Sequence, residues 1–233
     1  MLRRIVAAAA LAGALSGAAL TAVQQIEIAP LIRAAEMREA AASPGVHAAQ
    51  GWTPREGSER LAATLLANVV LATALALLLA AAMSQRRQSG WRAGALWGIA
   101  GYAVCFVAPA LGLAPELPGV ESAPLATRQM WWIAAASCSA VGLWLAVFAR
   151  KPLARIVGIA LLIAPHAVGA LVSTPDASDD GRAFIRATYL ANAALWLMLG
   201  VLVGVLCKPG KSFAMTGRHR RRGPIDIDAR APP

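Results

Sequence analysis

Six runs of apolar residues divide this chain, and nearly all of its charge is collected in the short stretches between them. The runs are Ile5–Ile26, Leu61–Met83, Ala93–Leu113, Met130–Ala149, Leu153–Val172 and Ala187–Cys207. Each holds roughly 20 residues, which is what an α-helix needs to cross about 30 Å of hydrocarbon. No stretch alternates apolar and polar residues in the way a membrane β-barrel requires. A backbone in lipid has no water to bond, so a span that is not part of a barrel must be helical. The pattern therefore predicts an all-α, polytopic integral membrane protein with about six transmembrane helices, or five if one terminal run is not a span. Residues 1–208 are expected to form the bundle, and 209–233 a basic, disordered cytoplasmic tail.

The first run has two readings. Arg3 and Arg4 precede an Ala/Leu/Gly stretch ending near Leu20-Thr21-Ala22, a pattern that also suits a cleavable signal peptide. Gly13 and Gly17 favour a retained helix, because glycines four apart let a neighbouring helix approach closely. Gly94/Gly98 and Gly200/Gly204 repeat the spacing.

Composition sharpens the class. Hydrophobic residues make up 58% of the chain and charged residues 15%, against about 45–50% and 25% in soluble domains. The three cysteines, Cys105, Cys138 and Cys207, are far apart and form no CxxC, so they read as small apolar packing residues.

The net charge of +10 would suit nucleic acid, but its distribution points to topology instead. With the N-terminus in the cytoplasm, 15 of the 22 basic residues fall on inner segments, including the Arg218–Arg222 run. Lys and Arg are enriched on the cytoplasmic side of membrane proteins. Ten of the 12 acidic residues fall on the outer side, which leaves that face net acidic and able to concentrate cations. Both termini are thus expected in the cytoplasm and the tail on anionic headgroups. No nucleic-acid partner is expected.

Polar residues within spans are costly, so those present are informative. His166 follows Pro165 in the fifth run, and Pro109 interrupts the third. A proline removes a backbone donor and kinks a helix. Asn68 and Asn192 lie in the second and sixth runs, each one turn after a threonine, Thr64 and Thr188. His166, Pro109, Asn68, Asn192, Thr64 and Thr188 sit at similar depth and suggest one outward-facing cavity. The alternative for the asparagines is plain hydrogen bonding between helices. For His166, an intramembrane imidazole suits a transition-metal ligand or a proton relay. The Trp131-Trp132 pair reads as part of the aromatic belt at the membrane interface. The segments Thr64-Leu-Leu-Ala-Asn68 and Thr188-Tyr-Leu-Ala-Asn192 match, but they pair the second run with the sixth, which a simple three-plus-three repeat would not do. No GxxxxGK[ST], HExxH or GxSxG motif occurs, so no enzyme activity is expected.

The loops carry a more specific series. It runs from Ala29-Pro-Leu-Ile32 and Ala35-Glu36 to Trp52-Thr-Pro-Arg-Glu-Gly57-Ser-Glu59-Arg60. Then come Pro109-Ala-Leu-Gly-Leu-Ala-Pro-Glu116-Leu-Pro-Gly119, Arg128-Gln129-Met-Trp131-Trp132 and Pro165-His166-Ala-Val-Gly169-Ala170. This series resembles the CbtA family, the proposed membrane subunit of a bacterial cobalt transporter, over nearly the whole chain. The resemblance implies Co²⁺ uptake serving cobalamin synthesis across the bacterial inner membrane. It also implies a small single-span, His-rich partner, CbtB, in an assembly that can include further copies of the chain. Members often carry a His-rich first outer loop, whereas here that loop holds only His47.

Co²⁺ accepts imidazole nitrogen and carboxylate oxygen. Glu36, His47, Glu59 and Glu116 are accordingly the candidate first-contact ligands, with His166 deeper along the path. Glu59 has a second role open to it, at the N-terminus of the following helix or paired with Arg60. Pro115 and Pro118 flank Glu116 and are expected to hold it in a rigid turn. No resident cofactor is expected. The alternative function is a non-transporting scaffold or assembly subunit of a metal-transport complex.

Overall fold

The computed structural model describes residues 2–42, 54–120, 122–169, 176 and 178–207. His47 and the basic tail lie outside them. The regular elements among the described residues are all helical, with no strand. The elements are α1 (Leu2–Val23), a π turn (Gln24–Ile28), α2 (Ala29–Ala42), α3 (Ser58–Gln85), α4 (Trp91–Tyr102), a second π turn (Ala103–Val107), α5 (Ala108–Gly112), α6 (Leu125–Phe148), α7 (Pro152–Gly169) and α8 (Asp179–Leu206).

Among the described residues, five helical stretches are long and apolar enough to cross a membrane: Arg3–Ala42, Ser58–Gln85, Trp91–Gly112, Leu125–Phe148 and Asp179–Leu206. They correspond to five of the six expected runs. The other run, Leu153–Val172, corresponds to the shorter α7, of 18 residues and about 27 Å. Leu66, Leu78, Leu96, Ile133 and Ile159 are each more than half exposed. Large aliphatic side chains so exposed along several helices suit hydrocarbon rather than water. The chain is therefore a multi-pass helical membrane protein.

The first helix does not stop where its apolar run does. It continues from Ile26 through α2 to Ala42, so Glu36 and Arg38 stand on a helix rather than in a loop. The segment is rich in Ala, Glu, Arg and Leu, all good helix formers. The one obstacle is Pro30. Just before it the helix widens into the π turn, and Ala29 N–H bonds back to Gln24 O. The second π turn does the same before Pro109, with Ala108 N–H bonded to Ala103 O. A proline ring clashes with the carbonyl four residues earlier, and the wider turn relieves that clash.

Small residues set the packing. Ala9, Ala12, Ala72 and Ala76 are fully buried where α1 meets α3, and Leu199 and Val203 of α8 complete the core. Gly17 lies against the Val69 backbone of α3: a Cβ placed there would fall 2.7 Å from Val69 Cα. Gly94 and Gly98 of α4 face Gly200 and Gly204 of α8, and a Cβ on Gly200 would fall 2.8 Å from Gly98 Cα. Gly90 N–H donates to Gly204 O at 2.7 Å, which locks the two backbones at one end. Gly142 and Gly158 join α6 to α7 in the same way. The close-approach role expected for the spaced glycines is thus what they perform.

Ser178 caps α8, its Oγ accepting from Gly181 N–H at 3.0 Å. Asp179 and Asp180 follow in the first turn, where carboxylates complement the helix dipole. This cap starts the helix eight residues before the apolar run at Ala187.

Candidate functional site at the α2 end of the bundle

The second π turn and Pro109 end the helix at Gly112, and the chain then crosses the end of the bundle as Leu113–Gly119. Gly119 adopts a φ of 83°, left-handed geometry that glycine takes without strain. Leu117 is buried and anchors the segment. Behind it lies a cavity of about 600 Å³, lined among others by Cys105, Phe106, Pro109, Glu116, Arg128 and Trp132. Among the described residues its walls are largely apolar, with one carboxylate and one guanidinium. Glu116 is held in place, since Ser122 Oγ donates to its Oε2 at 2.5 Å. Arg128 Nε is buried, with no hydrogen-bond partner among the described residues. A second cavity of about 430 Å³ shares Leu117–Val120 and is lined also by Arg38, Glu39 and Asp176. Backbone and side-chain hydrogen bonds from Ser178 hold the Asp176 carboxyl below its ordinary range.

His166 sits on α7 directly after the buried Pro165. Its ring meets Trp131 edge to face, with centroids 6.1 Å apart. Its Nδ1 is buried and has no hydrogen-bond partner among the described residues. Trp131 Nε1 in turn donates to Pro109 O at 2.8 Å. Trp131 therefore links Pro109 to the part of α7 that carries His166. This corrects the belt reading for Trp131, which points inward, while Trp132 is 48% exposed and lines the cavity. Consecutive helical residues point about 100° apart, so a Trp-Trp pair cannot put both rings on one face.

Neither His166 nor the remaining polar residues line this cavity. Asn68 is buried between α3 and the first helix, where its Nδ2 donates to Thr21 Oγ1 at 2.9 Å and Gln24 Oε1 at 2.6 Å. Asn192 Nδ2 donates to Thr188 O of its own helix at 2.9 Å. Thr64 Oγ1 bonds back to Arg60 O. Of the six residues expected to line one cavity, Pro109 does so, whereas Asn68 joins two helices and Asn192 bonds within its own.

The expected carboxylate ligands are also engaged. Glu36 accepts two bonds from the Arg60 guanidinium, at 3.0 and 2.7 Å, and Arg60 also binds Glu56. Glu59 accepts from Arg55 Nε at 2.9 Å. Arg38 pairs with Asp180 at 2.9 Å. The Glu36–Arg60 and Arg38–Asp180 pairs brace α2 against the first turns of α3 and α8, a role the sequence reading missed for Glu36. A cation arriving at Glu36 or Glu59 would have to displace a guanidinium. Among the described residues no three His, Cys, Asp or Glu side chains converge as a metal-ligand set, so His166, Glu116, Glu36 and Glu59 stand apart.

These features define a polytopic helical membrane protein with an apolar cavity at one end, beside the proline breaks. Residues 2–208 match the model of the CbtA family, described as "Probable cobalt transporter subunit (CbtA)", and the chain belongs to that family. Searches of curated proteins and of solved structures each returned no match.

Proposed function

We propose that the chain is the membrane subunit of a Co²⁺ uptake transporter of the bacterial inner membrane, serving cobalamin synthesis. The observation that carries this reading is the family match across nearly all of the membrane region. In this reading α2 and the cavity face outward, both termini are cytoplasmic, and α7 is a sixth span. The basic asymmetry between loops supports the orientation. Support for the sixth span comes from the packing of α7, which lies along α6 from the Gly142–Gly158 contact to the Trp131–His166 contact. Reporter fusions after Met83, within the Pro115–Gly119 segment and at the C-terminus should report in, out and in. A C-terminus on the outer side would contradict it.

Co²⁺ would reach the protein at the cavity mouth, where Glu116 offers a held carboxylate, and pass inward beside His166. The first-contact role of His47, Glu36 and Glu59 belongs to the same proposal; for the two glutamates it requires exchange of a guanidinium for the ion. Further ligands would come from a small His-rich membrane partner. Purified alone, the chain should bind Co²⁺ weakly, and co-purification with that partner should raise affinity at least tenfold. Equal affinity with and without the partner would overturn the shared-site reading.

The scattering of the candidate ligands favours one alternative, a scaffold that assembles a metal-transport complex without lining the path. It predicts that substitutions at His166 and Glu116 leave uptake unchanged while the complex still forms.

A further inference from the structure

The opposite end of the bundle carries the α3–α4 and α6–α7 loops. Trp97, Trp144 and Phe148 pack together there, with the Trp97 centroid 6.3 Å from Trp144 and 6.2 Å from Phe148. Arg86 of the first loop lies on this patch, its Cζ 4.1 Å from the Phe148 centroid and 5.6 Å from that of Trp144. A guanidinium stacked on a ring keeps its N–H edge free for an anion. Arg150 and Lys151 follow Phe148 by two and three residues. Arg155 turns back onto the same loop, its Nε donating to Ala149 O at 3.0 Å. Arg86 thus lies on the patch, and Arg150, Lys151 and Arg155 belong to the loop and first turn that follow Phe148; none of the four pairs with a carboxylate among the described residues.

Helix ends account for only part of this. Arg86 complements the C-terminus of α3, but Arg155 lies in the first turn of α7, where the dipole disfavours a cation. Like charges held together in this way call for an anionic counterpart. The neighbouring surface says which kind. Leu153 and Ile156, on the α7 turn that carries Arg155, are 70% and 62% exposed, and Val147 of α6 is 56% exposed. In the membrane these side chains lie among acyl chains, so an anion held by the neighbouring cations sits where a phospholipid carries its headgroup phosphate.

We propose that the α3–α4 and α6–α7 loops form a binding site for an anionic phospholipid. The headgroup phosphate lies on the free edges of Arg86 and Arg150 and beside Lys151 and Arg155, and the acyl chains lie along the α6–α7 surface. Such a lipid pins together two loops that would otherwise repel. This inference does not depend on which metal the protein handles.

The test uses the full chain purified in detergent, with lipid retention read by native mass spectrometry. Phosphatidylglycerol should be retained in clear preference to phosphatidylcholine. The Arg86→Gln/Arg150→Gln/Lys151→Gln variant should lose at least tenfold in affinity for it, because each basic residue near an anionic headgroup adds to its attraction. Replacing Arg218, Arg220, Arg221 and Arg222 with Gln should change retention less than twofold, and millimolar inorganic phosphate should not displace the lipid. If the triple variant does not fold, Arg150→Gln/Lys151→Gln confines the change to an exposed turn and should still lose at least threefold. The proposal is overturned by unchanged retention in the loop variants, by equal retention of phosphatidylcholine, by loss of binding in the tail variant alone, or by displacement with phosphate.

Discussion

Replacing Gly200 with valine should leave little folded protein in the membrane. The α4 and α8 backbones touch at this point, and a Cβ there would fall 2.8 Å from both Gly98 Cα and Gly98 N. Those neighbours are backbone, so no side chain can rotate away. Overpacking of a tight core costs about 1–3 kcal/mol and sometimes more, and here the two helices must separate and lose the bond from Gly90 N–H to Gly204 O as well. We expect immunoblotted membrane levels to fall at least fivefold and the melting temperature of what remains to drop by about 10 °C or more. Leu197→Val, on the same helix but 47% exposed, is the control and should change neither. A Gly200→Val protein with normal levels and normal melting would mean that α4 and α8 do not pack as described.

The second large effect is expected at His166. In the transport reading, His166→Ala should reduce Co²⁺ uptake by at least tenfold at equal membrane levels, and His219→Ala should change it little. His166→Gln divides two meanings of that loss. Glutamine keeps hydrogen-bonding capacity and much of the volume against Trp131 but gives up imidazole ligation. If glutamine is as inactive as alanine, the ring itself is needed. If glutamine restores uptake, His166 serves packing beside Trp131, and the path beside α7 is wrong. Trp131→Phe is informative here, because it keeps a ring against His166 but removes the donor to Pro109 O. It should reduce uptake less than His166→Ala does.

Much of the fold was legible because lipid imposes such a strong pattern. Apolar runs of span length gave the helices, and glycines four apart gave the faces on which backbones meet. What they could not give was partnership. Gly94/Gly98 and Gly200/Gly204 show the same spacing, but only the folded chain shows them facing one another. The course of the first helix beyond Ile26 was hidden for a different reason. Hydropathy falls there while helix propensity stays high, and the π turn that accommodates Pro30 has no local sequence signal. The candidate site was legible residue by residue and not as an arrangement. Pro109, Glu116 and His166 each stood out from local sequence. The tie through Trp131 and the clasp between Glu36 and Arg60 join residues more than 20 positions apart, and no local pattern encodes them. Asn68 gave the same local signal as a functional polar group, yet its partners Thr21 and Gln24 make it a packing residue.

The central claim is that this chain takes part in moving Co²⁺ into the cell. Its most direct test is the initial rate of ⁵⁷Co²⁺ uptake at submicromolar external cobalt, compared between cells that express the chain with its native neighbours and cells lacking only this chain. The account predicts a drop of at least fivefold on removal, restored by supplying the chain in trans. An uptake rate that is the same in both cells, with the chain shown to be present in the membrane of the first, would contradict it.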